Sequence, residues 1–185
     1  MPPLLAALLP MRRHVFGMIS RHSSTSVAST GTSVEKGLEY EHQVARVMAQ
    51  YNCRLTPTSM SMDGGVDHYG VWALPGNDIQ IVTQCKHEQT PTSVSQLREF
   101  EGVLSSQPDE VVGIFASASG YSVFAKRFFS RMTNPAIRVT IVQDDIVEFG
   151  MNPLARQRLP NLVPGTTFSS SGPSLVLMYD GRVLK

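Results

Sequence analysis

A chain of 185 residues with 42% hydrophobic and 17% charged side chains is large and apolar enough to bury one domain-sized core. Its formal charge is only +1, and no apolar run approaches the roughly 20 residues of a membrane span, so composition favours neither a bulk polycation nor a helical membrane protein. Two widely separated cysteines, Cys53 and Cys85, make no CxxC pair and read as reduced thiols rather than a disulfide or a zinc site.

Residues 1–30 differ from the rest. They carry Arg12, Arg13 and Arg21, many serines, an apolar opening at Leu4, Leu5, Leu8 and Leu9, and no acid before Glu35. The arginines follow the apolar run, whereas a secretory signal places its charge before it. The composition is that of a mitochondrial targeting presequence, with cleavage expected between Ser20 and Thr32. Without this segment, 13 basic side chains face 15 acidic ones, so nucleic-acid contact would have to come from a local patch.

Thr32-x-x-Glu35 is a capping box that opens a helix, and Tyr40, Val44, Val47, Met48 and Tyr51 continue it as an apolar stripe. Glu41 lies at the edge of that stripe and, on these residues alone, reads as a solvated flank charge. Arg54 to Met62 predicts a short strand. Asp63, ahead of Gly64-Gly65, reads as an Asx turn.

The segment from Asp67 to Lys86 predicts a hairpin. Tyr69 to Leu74 is strand-like, and Ile79, Ile81, Thr83 and Cys85 alternate with Gln80, Val82, Gln84 and Lys86. With Gly76-Asn77 as a two-residue turn, Asp67 falls opposite Lys86, where facing Cβ atoms sit roughly 4.5–5.5 Å apart. Asp67, Gln84 and Lys86 would then share one patch beside Gly64-Gly65, where the backbone can approach closely. A hard carboxylate, a neutral amide oxygen and an ammonium suit metal-assisted phosphodiester hydrolysis. His68 and His87 flank the patch as bystanders, because no transition-metal spacing accompanies them.

Beyond Lys86, Ser93-x-x-Gln96 is a second capping box, and Val94, Leu97, Phe100, Val103 and Leu104 predict an amphipathic helix. Val111 to Ala116 and Ile137 to Val142 are apolar runs typical of strands buried on both faces. Ser122 caps a helix predicted to reach Met132, which carries Lys126, Arg127 and Arg131. These three read as solvated charges or as a phosphate-tracking patch. Asp144, Asp145 and Glu148 predict a short helix ending at Gly150. Pro153, Pro160, Pro164 and Ser169 to Pro173 predict a linker, and Asp180-Gly181 a small terminal hairpin.

Gly64-Gly65-Val66-Asp67 followed by Val82-Thr83-Gln84-Cys85-Lys86 resembles the Mrr-like branch of the PD-(D/E)xK restriction-endonuclease-like superfamily. The similarity covers about residues 37–143, and Gly37-x-x-Tyr40-Glu41-x-x-Val44 matches that branch's first helix. The resemblance implies a three-layer α/β fold with a mixed sheet flanked by helices. It implies Mg2+ at Asp67, Gln84 and the Cys85 backbone carbonyl, Lys86 as catalytic base or charge stabiliser, and Glu41 in support. Gln in place of the usual acid is common in that branch. Related nucleases pair as dimers to cut both strands, so a homodimer is an open state for this chain.

The expected organisation is therefore a presequence over 1–30, a restriction-endonuclease-like domain over 31–150, and an extension over 151–185. With its presequence, the chain resembles a fungal mitochondrial family required for respiratory growth. That implies a Mg-dependent nuclease acting on mitochondrial nucleic acid, DNA in the first instance, in genome maintenance or expression. The alternative is a non-catalytic nucleic-acid-binding or assembly protein that keeps the fold. A metabolic enzyme finds no GxGxxG and no P-loop.

Overall fold

The computed structural model describes residues 32–59, 64–170 and 172–184. The expected presequence and the Asx turn at Asp63 lie outside these. Thirteen elements follow in order among the described residues: α1 (Ser33–Ala49), β1 (Cys53–Pro57), β2 (His68–Leu74), β3 (Asn77–Lys86), α2 (Val94–Ser105), β4 (Val112–Ser117), α3 (Val123–Phe129), β5 (Ala136–Val142), β6 (Asp145–Met151), α4 (Pro153–Arg158), β7 (Leu162–Ser169), β8 (Gly172–Tyr179) and β9 (Arg182–Val183).

Six strands form one sheet in sequence order, β1 to β6, and β7 to β9 form a second of three. The β3–β4 and β4–β5 pairs are parallel, joined by crossovers through α2 and α3, while the other pairs are antiparallel. Alternation along β3 divides the core. Ile79 and Ile81 pack with Tyr40, Val44, Val47 and Met48 of α1 on one face. Val82 packs with Leu97 and Phe100 of α2 and Ala125 and Phe129 of α3 on the other. The result is a mixed sheet between helical layers, the α/β arrangement that the sequence resemblance implied. At Gly113 of β4 a Cβ would meet Leu104 at 2.6 Å and Phe100 at 2.7 Å, so α2 rests directly on strand backbone there.

Both capping boxes form. Thr32 and Glu35 exchange bonds at the start of α1, and Ser93 and Gln96 at the start of α2. Four expectations change. The β2–β3 turn is Pro75-Gly76, with Leu74 opposite Asn77 and Gly76 at φ +79°. Proline followed by a positive-φ glycine suits a type II turn and displaces the Gly-Asn alternative. Second, Asp145 to Gly150 is strand, not helix. Gln143 (φ +50°) and Asp144 (φ +66°) close a β5–β6 hairpin in the left-handed conformation.

Third, the stretch expected to be a linker is built. Pro153 occupies the first turn of α4, Asn152 caps it by accepting from Ala155 N at 2.8 Å, and β7 and β8 pair over eight positions. Leu159, Leu162, Leu177 and Leu184 join the α1-side core, so the extension is anchored to it by these four side chains. Fourth, α3 ends at Phe129, capped by Ser130, so Arg131 lies past the helix. No helix among the described residues is long and apolar enough to cross a membrane.

Candidate active site at the end of strand 3

The β2–β3 register moves the expected pairing by two residues. His68 is opposite Thr83, so one further step puts Asp67 beside Gln84 rather than Lys86. A two-residue slip preserves the face of every side chain, and Gln84 and Lys86 still point the same way. Asp67 N donates to Thr83 O at 2.8 Å, and Asp67 O accepts from Thr58 N at 2.9 Å. Its carboxylate then takes over where the ladder stops: Cys85 N donates to Asp67 Oδ2 at 2.5 Å. That bond fixes the Asp67 side chain against β3, between Gln84 and Lys86.

Gln84 is only 5% exposed, and its Oε1 is buried with no hydrogen-bond partner among the described residues. An orphaned amide oxygen in the interior is destabilising by about 1–3 kcal/mol unless something else satisfies it. Gly65, at φ +88°, runs past the other end of this amide; a Cβ there would sit 3.4 Å from Gln84 Nε2 and 3.2 Å from Val103. Gly65 thus lets the chain pass close to the amide.

The Cys85 thiol reports on the surrounding charges. Burial pushes its pKa well above the ordinary value, the carboxylates of Asp67 and Glu41 push it further, and a Thr83 hydrogen bond and the Lys86 charge oppose them. Glu41, from α1, therefore acts on the same point as Asp67 and Lys86. Its neighbour Tyr40 is buried, with its ring centroid 5.5 Å from that of His87. The face of α1 is thereby set against the residues that follow Lys86. Asp67, just before β2, thus lies against Gln84, Cys85 and Lys86 of β3, and Glu41 of α1 acts on the Cys85 thiol.

The flanking histidines do not join them as ligands. His68 is fully buried with Nδ1 2.7 Å from Thr83 Oγ1, and burial, aided by nearby His42, lowers its pKa to about 4. It is neutral at pH 7. Gln96 is occupied structurally: Oε1 accepts from Ser93 N and Nε2 donates to Glu88 Oε1, both at 2.8 Å.

Among the described residues no group of three or more His, Cys, Asp or Glu could hold a metal. A hard cation would find oxygen donors in the Asp67 carboxylate, the Cys85 carbonyl and the Oε1 of Gln84. The orphaned oxygen is the observation that fits a cation to this site.

The three expected nucleic-acid contacts are divided. Lys126 is engaged by an acid, with Nζ 2.8 Å from Glu148 Oε1. Arg127 and Arg131 are exposed. Glu148 also binds Arg138, whose guanidinium lies 5.4 Å from the Tyr121 ring centroid and 5.7 Å from that of Phe129. Burial alone would raise the Glu148 pKa, but Lys126 and Arg138 hold it below the usual carboxylate value. Placing Glu148 on a helix hid this cluster from sequence analysis, and only the β5–β6 pairing reveals it.

Residues 34–148 match a family model described as a restriction endonuclease, of the Mrr catalytic-domain type. An uncharacterised mitochondrial protein of Schizosaccharomyces pombe is 28% identical over 126 residues, which are 66% of this chain. The match spans 51% of that relative, about half its length. A solved structure, the MspJI restriction endonuclease in complex with a 27-mer oligonucleotide, aligns with 57% of this chain and 26% of its own at 18% identity, with a TM-score of 0.45.

Proposed function

The chain belongs to the Mrr-type restriction endonuclease family, and from that premise we propose that it is a Mg2+-dependent nuclease hydrolysing phosphodiester bonds at Asp67, Gln84 and Lys86. The observation that carries this reading is the buried, unpartnered Oε1 of Gln84 beside the Asp67 carboxylate. A scaffold gains nothing from an orphaned oxygen, whereas a hard cation would satisfy it.

In this mechanism Asp67, Gln84 and the Cys85 carbonyl would hold the ion, and Glu41 would support it or its water. The ion supplies polarisation of the phosphoryl oxygen and a water acidic enough to attack near neutral pH. Asp67 keeps its aim because the Cys85 N–H fixes one carboxylate oxygen. The Lys86 ammonium offsets the negative charge that grows on the phosphoryl group, or its amine takes the proton from the attacking water. The new bond joins water oxygen to phosphorus, and the bond from phosphorus to the leaving sugar oxygen breaks. Neutral His68, buried on β2 opposite Thr83, takes no proton in this scheme.

DNA is the substrate that the family description favours. Mitochondrial location draws on the acid-free, arginine-bearing segment 1–30 and on the S. pombe relative's description as mitochondrial. In that compartment the activity would serve genome maintenance or expression and thereby respiratory growth. We place the catalytic unit at 31–150, with 151–185 as an extension that completes the α1-side core.

The test is cleavage of supercoiled plasmid, single-stranded DNA and RNA by the purified chain with Mg2+ or EDTA. Metal-dependent cutting supports the reading, and the preferred polymer identifies the substrate. Absence of cutting on all three, with binding retained, would leave a nucleic-acid-binding protein on a nuclease fold.

A further inference from the structure

The outward face of α3 carries a feature that hydrolysis at Asp67 does not use. Ala125 and Phe129 point into the core, while Val123 and Phe124 are 63% and 69% exposed. Phe124 lies three residues before Arg127 and four before Phe128 on this helix, and Arg131 follows just past its end, so aromatic and cationic side chains are interleaved here. The Arg127 guanidinium lies 6.0 Å from the Phe124 ring centroid, and Arg98 of α2 lies 5.5 Å from that of Phe128. The helix contains no acid, and its Lys126 is already held by Glu148.

This stretch begins at the same end of the sheet as the candidate site. Lys86 of β3 pairs with Ser117 of β4, and only residues 118–122 separate Ser117 from the start of α3. Thr92, just after the site strand, is tied to that connection three ways: its N–H donates to Gly120 O, its O accepts from Ser122 N, and its Oγ1 donates to Ser117 Oγ. The start of α3 is therefore fixed to the segment that follows Lys86.

We propose that Phe124 stacks an unpaired base of the substrate while Arg127 and Arg131 contact the flanking phosphates, so that the substrate is a nucleic acid with single-stranded character beside the bond cut. The proposal rests on the nuclease reading and deepens it. Aromatic rings stack any base face, and a guanidinium on one side of the ring leaves the other side for a base. A second copy of the chain fits this surface poorly, because a two-fold contact would oppose Arg98, Arg127 and Arg131 to themselves. Phosphates complement the same charges.

The experiment measures binding of the full chain, in EDTA, to a single-stranded oligonucleotide and to the blunt duplex of the same sequence. Phe124→Ala should weaken single-strand binding roughly ten-fold, and Phe124→Tyr should restore it. Phe124→Leu, apolar but not aromatic, should not. Arg127→Ala should lower the salt dependence by about one ion, whereas Phe124→Ala leaves it unchanged. The proposal is overturned if Phe124→Ala binds within two-fold of the wild type, if wild-type chain prefers the duplex, or if Phe124→Ala instead shifts the chain from dimer to monomer by light scattering. Cleavage in Mg2+ reports separately on the nuclease reading. A chain that binds through Phe124 without cutting retains the stacking surface and loses only the hydrolysis, while one that cuts with Phe124→Ala unimpaired in binding loses only the stacking surface.

Discussion

The backbone N–H of Cys85 donates to Oδ2 of Asp67 at the point where the β2–β3 ladder ends. A side-chain oxygen stands there in place of a backbone carbonyl, so one residue both terminates the hairpin and orients the carboxylate. Asp67→Asn keeps an acceptor for Cys85 and removes the charge. It should leave the melting temperature within a few degrees and reduce cleavage by at least about a hundred-fold, of the order seen when a key electrostatic group is lost. Asp67→Ala removes the acceptor too and should destabilise by about 1–3 kcal/mol, measured by urea unfolding.

Gln84 should trade stability against metal response. Gln84→Met fills similar volume without a buried unsatisfied oxygen, and without Mg2+ it should match or exceed wild-type stability by about 1 kcal/mol. The stabilisation that Mg2+ gives the wild type should disappear in the variant. Thermal unfolding with and without the ion checks both parts. Gln84→Glu, which supplies a charged oxygen at the same place, should keep the metal response.

His68 sets an acid-side dependence. Its folded pKa is about 4, against an ordinary 6.5, because burial disfavours the charged ring. The unfolded chain therefore binds the proton more readily between these values. Stability from this group is full above pH 6.5 and declines as pH falls toward 4, below which it changes no further. In His68→Leu the slope of unfolding free energy over pH 4–6.5 should flatten relative to wild type.

Close packing at Gly113 gives a prediction independent of function. A Cβ there would lie under 3 Å from Leu104 and Phe100. Gly113→Ala should destabilise by about 1–3 kcal/mol through overpacking, and Leu104→Ala in the same chain should recover part of that loss.

The elements with local signals were legible in the sequence. The capping boxes at Thr32 and Ser93 and the alternation of β3 located α1, α2 and the site strand, and the spacing of Gln84 and Lys86 put them on one face. The hairpin register was not legible to the residue, because Pro75-Gly76 and Gly76-Asn77 are competing turns that differ by a slip of two. That slip kept the faces and changed only which residue meets Asp67. The β5–β6 hairpin was hidden because Gln143 and Asp144 take positive φ without a glycine to announce it, and Glu148 was consequently assigned to a helix. Pro153 and Pro164 read as linker residues, yet one starts α4 and the other sits in β7. That Gln84 Oε1 lacks a hydrogen-bond partner among the described residues is a three-dimensional property with no sequence signal.

Single-turnover cleavage of a labelled DNA substrate by wild type, Asp67→Asn and Lys86→Ala, each verified as folded, tests the account most directly. Wild type should cut with Mg2+ and not with EDTA, and both variants should fall at least about a hundred-fold in rate while binding the substrate undiminished. Folded variants that cut at the wild-type rate, or a wild type whose cutting ignores EDTA, would contradict hydrolysis at the end of β3.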